Sequence, residues 1–284
     1  SHSSIIRSAV RERGEQIVFN LAIILLSLMN SESADSNNNR IAKYILEHID
    51  ELENVSISDL ARKCYVSNSS ISRFCRAIGL QDYNELRNQV AKYQVEHPYT
   101  VAHKFRYPGE DADEPYSAYV DQIIANLTSM KNSVDSKEID ALISDIFRYE
   151  KVSAFGYLQS ENVALNLQYD LQTSRKIIFT CMQFADQIEH IRNADEKELI
   201  IVFSESGTYF RRAFAHRNVF TSPRNKPMIY VITSNQKINQ PYVDHYIRYV
   251  SDGNYASHPY PLNAIAGMIA SGFARRKQAM LAEE

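Results

Sequence analysis

The chain is short of several things, and each shortage removes a class of protein. Its 284 residues hold three cysteines, Cys64, Cys75 and Cys181, at separations that match neither a disulfide framework nor the paired spacing of a structural zinc site. Cys64 and Cys75 fall on the apolar faces of expected helices, as small fillers suited to a reducing cytoplasm, and no metal or other cofactor is expected. A dominant charge sign is missing too. With 31 basic against 34 acidic side chains the net charge is −3, so any nucleic-acid contact must rest on local placement. Membrane-length apolar runs are also lacking. The longest, Ile17 to Met29, has 13 residues, short of the roughly 20 a bilayer needs, and carries no small-residue cleavage site of a signal peptide. A helix so apolar must be buried against protein, either within one copy or between two.

What is present begins with Ser56 to Leu80, SISDLARKCYVSNSSISRFCRAIGL, which reads as two short helices joined by a tight corner. Ser56 can cap the first helix, whose Ile57, Leu60, Ala61 and Cys64 recur at helical spacing. Tyr65-Val66 is the corner. Ser67 caps a second helix from Asn68 to Ile78, and Gly79, tolerant of positive φ, ends it. Ile71, Phe74, Cys75 and Ile78 form its apolar stripe. The other face offers Ser67, Asn68, Ser69, Ser70, Ser72, Arg73 and Arg76: small residues for close approach to a major groove, then arginines for phosphates or guanine edges. A solvated surface helix would look similar. Between Ser56 and Val95 six basic side chains face three acidic ones, the right local sign but a small excess, which calls for two copies on DNA.

The run from Ile41 to Arg87 resembles the N-terminal domain of the RpiR/MurR family of bacterial transcriptional regulators. The features that carry this are Tyr44-Ile45-Leu46, the pattern from Ser56 to Ala61, Val66-Ser67, the Arg73-Phe74-Cys75-Arg76 core with Gly79, and Tyr83 to Leu86, in the family's order and spacing. The resemblance implies a dimerising, DNA-binding helical domain.

Around this segment the reading is coarse. Helices are expected at Ile5 to Arg13, Glu15 to Met29, Arg40 to Ile49 and Tyr83 to Val95, with a polar loop from Asn30 to Asn39. His48 reads as a tolerated surface side chain. This gives an all-α helix–turn–helix domain over residues 1–96, followed by a linker over 97–115 rich in proline and acidic residues. In residues 116–284 helices alternate with strands. Strands are expected at Val152 to Phe155, Lys176 to Thr180, Leu199 to Ser204, Met228 to Ser234 and Tyr246 to Val250. The helices are Tyr116 to Val134, Lys137 to Glu150, Ser160 to Leu171, Phe184 to Asn193, Thr208 to Arg217, Gln240 to Asp244 and Leu262 to Leu281. The alternation predicts an α/β, flavodoxin-like domain with a five-stranded parallel sheet.

In such a sheet the ligand crevice lies beyond the strand C-termini, where the strand order reverses. Two loops meet there, Phe155 to Ser160 and Phe203 to Thr208, each leading into a helix N-terminus with free N–H groups and hydroxyls, which suits a phosphate. This half resembles the SIS (sugar isomerase) domain carried by RpiR-type regulators. The resemblance assigns a phosphorylated sugar to Ser160, Ser204, Ser206, Gly207 and Thr208. It departs at Leu158, where a second glycine is usual, and at Tyr209, where a hydroxyl residue is usual. Glu161 and Glu205 place carboxylates beside the anion, and Arg211 and Arg212 nearby could offset them or equally form a solvated face. The serines could instead serve only as helix caps.

Three functions follow. The first is a cytoplasmic, non-enzymatic transcriptional regulator of carbohydrate metabolism, a homodimer or homotetramer on a palindromic operator, whose DNA affinity is set by a sugar phosphate. The second keeps the SIS domain for oligomerisation alone. The third is a sugar-phosphate isomerase, for which Glu161, Glu205 and His258 are candidate bases but lie in no catalytic motif, and a DNA-binding domain would be idle.

Overall fold

A computed structural model of the protein describes residues 21–96, 113–210, 220, 225–252 and 258–283. The helix expected at Ile5 to Arg13, most of the linker, Arg211 and Arg212 lie outside these residues. The chain divides into two compact units near residue 103.

In the first unit, helix α1 (Leu21–Ser31) carries the described part of the apolar run, whose first four residues lie outside the described ones, and buries Leu21 and Leu25. Helix α2 (Asn37–Glu47) starts inside the stretch expected as loop. Ser36 accepts the N–H of Asn39 at 2.9 Å, and the Asn39 amide donates to the Met29 carbonyl at 2.9 Å. The polar run thus keeps a loop over residues 32–36, while its last residues form the cap and first turn of α2. A short 3-10 segment (Ile49–Asn54) leads to α3 (Ile57–Lys63), α4 (Asn68–Ala77) and α5 (Tyr83–Glu96). Ile41, Ile45, Leu60, Ile71, Phe74, Leu86 and Val90 close one core. Each such side chain contributes about 1.5–3 kcal/mol by leaving water.

In the second unit α6 (Pro115–Ser133) and α7 (Ser136–Arg148) precede β1 (Lys151–Gly156). There follow α8 (Gln159–Thr173), α9 (Phe184–Asn193), β2 (Glu198–Phe203), β3 (Met228–Thr233), β4 (His245–Arg248) and α10 (Tyr260–Glu283). The strands are parallel in the order β1-β2-β3-β4. Alternate residues serve opposite faces. Val152, Ala154, Leu199 and Ile201 join the core formed with α7, α8 and α10, whereas Phe155 packs edge-on to His190 of α9.

Two expectations need correction. The sheet has four strands among the described residues, not five. Lys176 to Thr180 keeps a single parallel bridge, Ser153 with Phe179. The chain is held by the end of α8 just before it, where Arg175 takes φ +62° and the Lys176 N–H bonds the Leu171 carbonyl at 3.0 Å. Only two hydrogen bonds then reach β1, from Phe179 N–H to Val152 and from Ala154 N–H to Phe179, each 2.9 Å. The helix expected at Gln240 to Asp244 is a turn, with the Gln240 N–H on the Tyr246 hydroxyl at 2.7 Å.

Candidate nucleic-acid interface and effector loops

The corner between α3 and α4 is built by helix-end chemistry. Ser56 accepts the Asp59 N–H at 3.1 Å and opens α3. At its other end the Tyr65 N–H bonds the Arg62 carbonyl at 3.1 Å and the Val66 N–H bonds the Ala61 carbonyl at 2.9 Å. This pairing wraps the chain back through a left-handed residue, here Tyr65 at φ +55°. Ser67 then accepts the Ser70 N–H at 3.2 Å and starts α4. The same wrap ends α4: the Gly79 N–H bonds Arg76 at 3.1 Å, the Leu80 N–H bonds Cys75 at 2.8 Å, and Gly79 sits at φ +91°. Burial pushes the Cys64 thiol up to about 11 and the Cys75 thiol up to about 12, which keeps both protonated as core fillers.

The face of α4 that leaves the core is polar and basic. Ser67, Asn68, Ser69, Arg73 and Arg76 are exposed and Ser72 is half-buried. The Asn68 amide donates to the Ser58 hydroxyl of α3 at 3.0 Å, which fixes the start of the helix against its neighbour. Ser70 is a correction. It was expected among the DNA-facing residues but is buried. Its hydroxyl lies 3.0 Å from that of Ser67 and accepts from the Arg73 guanidinium at 3.1 Å. It orients Arg73 from beneath instead of reaching outward.

Two residues that the sequence reading did not place among the DNA-facing ones stand at the same corner. Tyr65 is 87% exposed, and the Arg40 guanidinium of α2 lies 3.5 Å from its carbonyl. The signal for Tyr65 was its place at a left-handed helix end, where a side chain costs about 1–2 kcal/mol. Arg40 gave none, since it comes 25 residues earlier.

In the second unit the register that pairs Gly156 with Phe203 sets the two expected loops side by side at the C-terminal edge of the sheet. A Cβ on Gly156 would lie 2.3 Å from the Ser160 backbone, so only glycine lets α8 start this close to the strand. Leu158, standing where the resemblance calls for glycine, takes φ +53°. The four hydroxyls differ in access: Ser160 and Ser204 are buried, Ser206 is exposed and Thr208 is half-buried. Ser204 accepts the Tyr209 N–H at 3.3 Å, a capping role, while the Ser206 and Thr208 hydroxyls lie 2.7 Å apart. Gly207, at φ +72°, forms the turn between these two. The Tyr209 hydroxyl donates to Gln187 at 2.7 Å inside the core, so it does not supply the hydroxyl usual beside the loop.

The two carboxylates that threatened an anion are both accounted for. Glu205 accepts from the Ser251 hydroxyl at 2.8 Å and pairs with His258. Burial would raise its carboxyl, but the hydrogen bond and charge of His258 and the hydroxyl of Ser251 outweigh burial and hold it below the usual carboxylate range. Glu161 is buried, and burial pushes it up to about 7, so it carries little charge in mildly acidic solution.

A capped helix pair whose second helix shows an open polar and basic face defines a helix–turn–helix protein. More narrowly, residues 24–96 match the model of the helix–turn–helix domain of the rpiR family. The HTH-type transcriptional regulator HexR of Pseudomonas aeruginosa is 28% identical over 131 residues, 46% of this chain and 45% of that protein. An uncharacterized HTH-type transcriptional regulator of Caldanaerobacter subterraneus is 43% identical over 61 residues, 22% of each chain. The chain thus spans less than half the length of these two relatives. Among solved structures, the Vibrio vulnificus NanR protein complexed with ManNAc-6P aligns over 93% of this chain and 97% of its own, with TM-score 0.47 and 16% identity.

Proposed function

We propose that the protein is a cytoplasmic, DNA-binding transcriptional regulator of carbohydrate metabolism, formed from residues 1–96 for DNA and 116–284 for effector sensing. The observation that carries this is the uncovered face of α4, where Asn68, Ser69, Arg73 and Arg76 stand exposed above a buried side of Ile71, Phe74, Cys75 and the single polar Ser70. Ser67, Asn68, Ser69 and Ser72 approach the groove, Arg73 and Arg76 reach guanine edges or phosphates, and Ser70 positions Arg73. Two copies in a homodimer or homotetramer meet the half-sites of a palindrome about one helical turn apart.

The effector is a phosphorylated sugar held at Ser160, Ser204, Ser206, Gly207 and Thr208. The accessible Ser206–Thr208 pair supports this, together with the neutralised or averted carboxylates of Glu161 and Glu205. A ligand that prefers one arrangement of the dimer shifts operator affinity by that preference. The capping bond of Ser204 favours a second reading, in which the sensing unit only oligomerises. The Glu205–His258 pair places an acid and a base together, as an isomerase would need, but a carboxyl held below its usual range is a weak proton acceptor.

Operator binding by fluorescence anisotropy across a panel of sugar phosphates separates these readings. The native chain should change affinity with one member of the panel, and Ser204→Ala with Ser206→Ala should lose that response while binding DNA normally. A normal response in the double variant would remove these loops as the site. Turnover of a panel member would make the protein an enzyme.

A further inference from the structure

Tyr65 is out of place as a folding residue. Its φ of +55° lies in the region where L side chains are strained and glycine is favoured. Such strain is kept where the surrounding structure imposes it and often marks a functional position. Its ring gives nothing back to the domain, being 87% exposed, while the Val66 beside it is half-buried against the core. The residue sits two positions ahead of Ser67, the cap of α4, at the same end of the helix as exposed Asn68 and Ser69. Arg40 stands against its carbonyl at 3.5 Å, and Arg62 and Lys63 occupy the last turn of α3 just before it.

We infer that Tyr65 is a DNA-backbone contact, its phenolic hydroxyl donating to a phosphate on the strand flanking the groove that α4 enters. Tyrosine hydroxyls serve this purpose at protein–DNA interfaces, where such bonds fix register without reading sequence. Because the residue precedes the helix, its ring lies beside the groove-reading positions and does not compete with Asn68 or Arg73 for base edges. Arg40 and Lys63 supply the local positive charge that a phosphate seeks, and the neutral phenol adds a directed donor. The inference rests on the DNA-binding reading and extends it to a residue outside the recognition helix.

The test compares the full-length native protein with Tyr65→Phe and Tyr65→Gly, on a selected operator and on unrelated DNA, with melting temperatures measured alongside. Tyr65→Gly should melt no lower than the native protein, since glycine accepts this φ, yet bind both DNAs about tenfold more weakly. Tyr65→Phe should keep its melting temperature and lose a similar factor. The dependence of affinity on salt should be unchanged in both, because no cation is removed. Affinities within twofold of native for both variants would overturn the inference while leaving the regulator reading intact. Weakened binding that tracks loss of the oligomer in sedimentation would also overturn it, in favour of a contact between copies. A native chain that binds neither DNA would take the regulator reading down, and this contact with it.

Discussion

Glu161 is the side chain that sits least comfortably in the second unit. It is 6% exposed, its Oε1 is buried with no hydrogen-bond partner, and burial pushes its carboxyl up to about 7 from an ordinary 4.5. Between those values the folded chain holds a proton that the unfolded chain has released, so stability falls as pH rises through this window and levels off above it. The loss is up to about 3 kcal/mol. Glu161→Gln should flatten the urea stability profile between pH 5 and 8 and raise stability at pH 8, and a profile as steep as the native one would mean that another group is responsible. At this scale the sequence was partly legible. Ser56 and Ser67 could be read as caps because a hydroxyl at a helix start has one main use. Ser70 was misplaced although its position carried the signal: it lies four residues before Phe74, on the buried side of the wheel.

The elements were legible where pattern alone decides them and not where neighbours do. Strand β2, ELIIVF, is buried throughout and apolar after Glu198, as a central parallel strand should be. The run Lys176 to Thr180 has the same apolar look but is pinned by the end of α8 on one side. Its Ile177 is 70% exposed, and no local feature of the sequence says so. Helix ends show the same division. α3, α4 and α8 all finish through a left-handed residue, yet only α4 does so with glycine, and Tyr65 and Arg175 fill the place in the others. Only the glycine could be read as a stop. Gly79→Ala should therefore cost about 1–2 kcal/mol, seen as a lower denaturant midpoint, because φ +91° is closed to an L side chain. A midpoint equal to native would mean that the helix end can rearrange. Gly156 is held for another reason, the approach of the Ser160 backbone, which the sequence could not disclose because it depends on how α8 meets β1.

For the molecule as a whole, a net charge of −3 means that the proposed DNA affinity must come from where cations stand, not from how many there are. The first unit concentrates them around α4, whose apolar side holds Ile71, Phe74 and Cys75 in the core and so fixes the direction in which Arg73 and Arg76 project. The second unit was readable as an alternating α/β fold, but which of its hydroxyls reach solvent was not, since that depends on backbone bonds such as the one from Tyr209 to Ser204. The central claim is that α4 reads DNA sequence through its exposed arginines. The direct measurement is the affinity of native protein and Arg73→Ala for an operator enriched from random DNA and for its single-base variants, at one fixed salt concentration. The account predicts that Arg73→Ala stays folded, loses about 1–3 kcal/mol on the operator, and no longer distinguishes bases at one position of each half-site. Equal affinity of the two proteins for every sequence, or no enrichment of any sequence by the native chain, would contradict it.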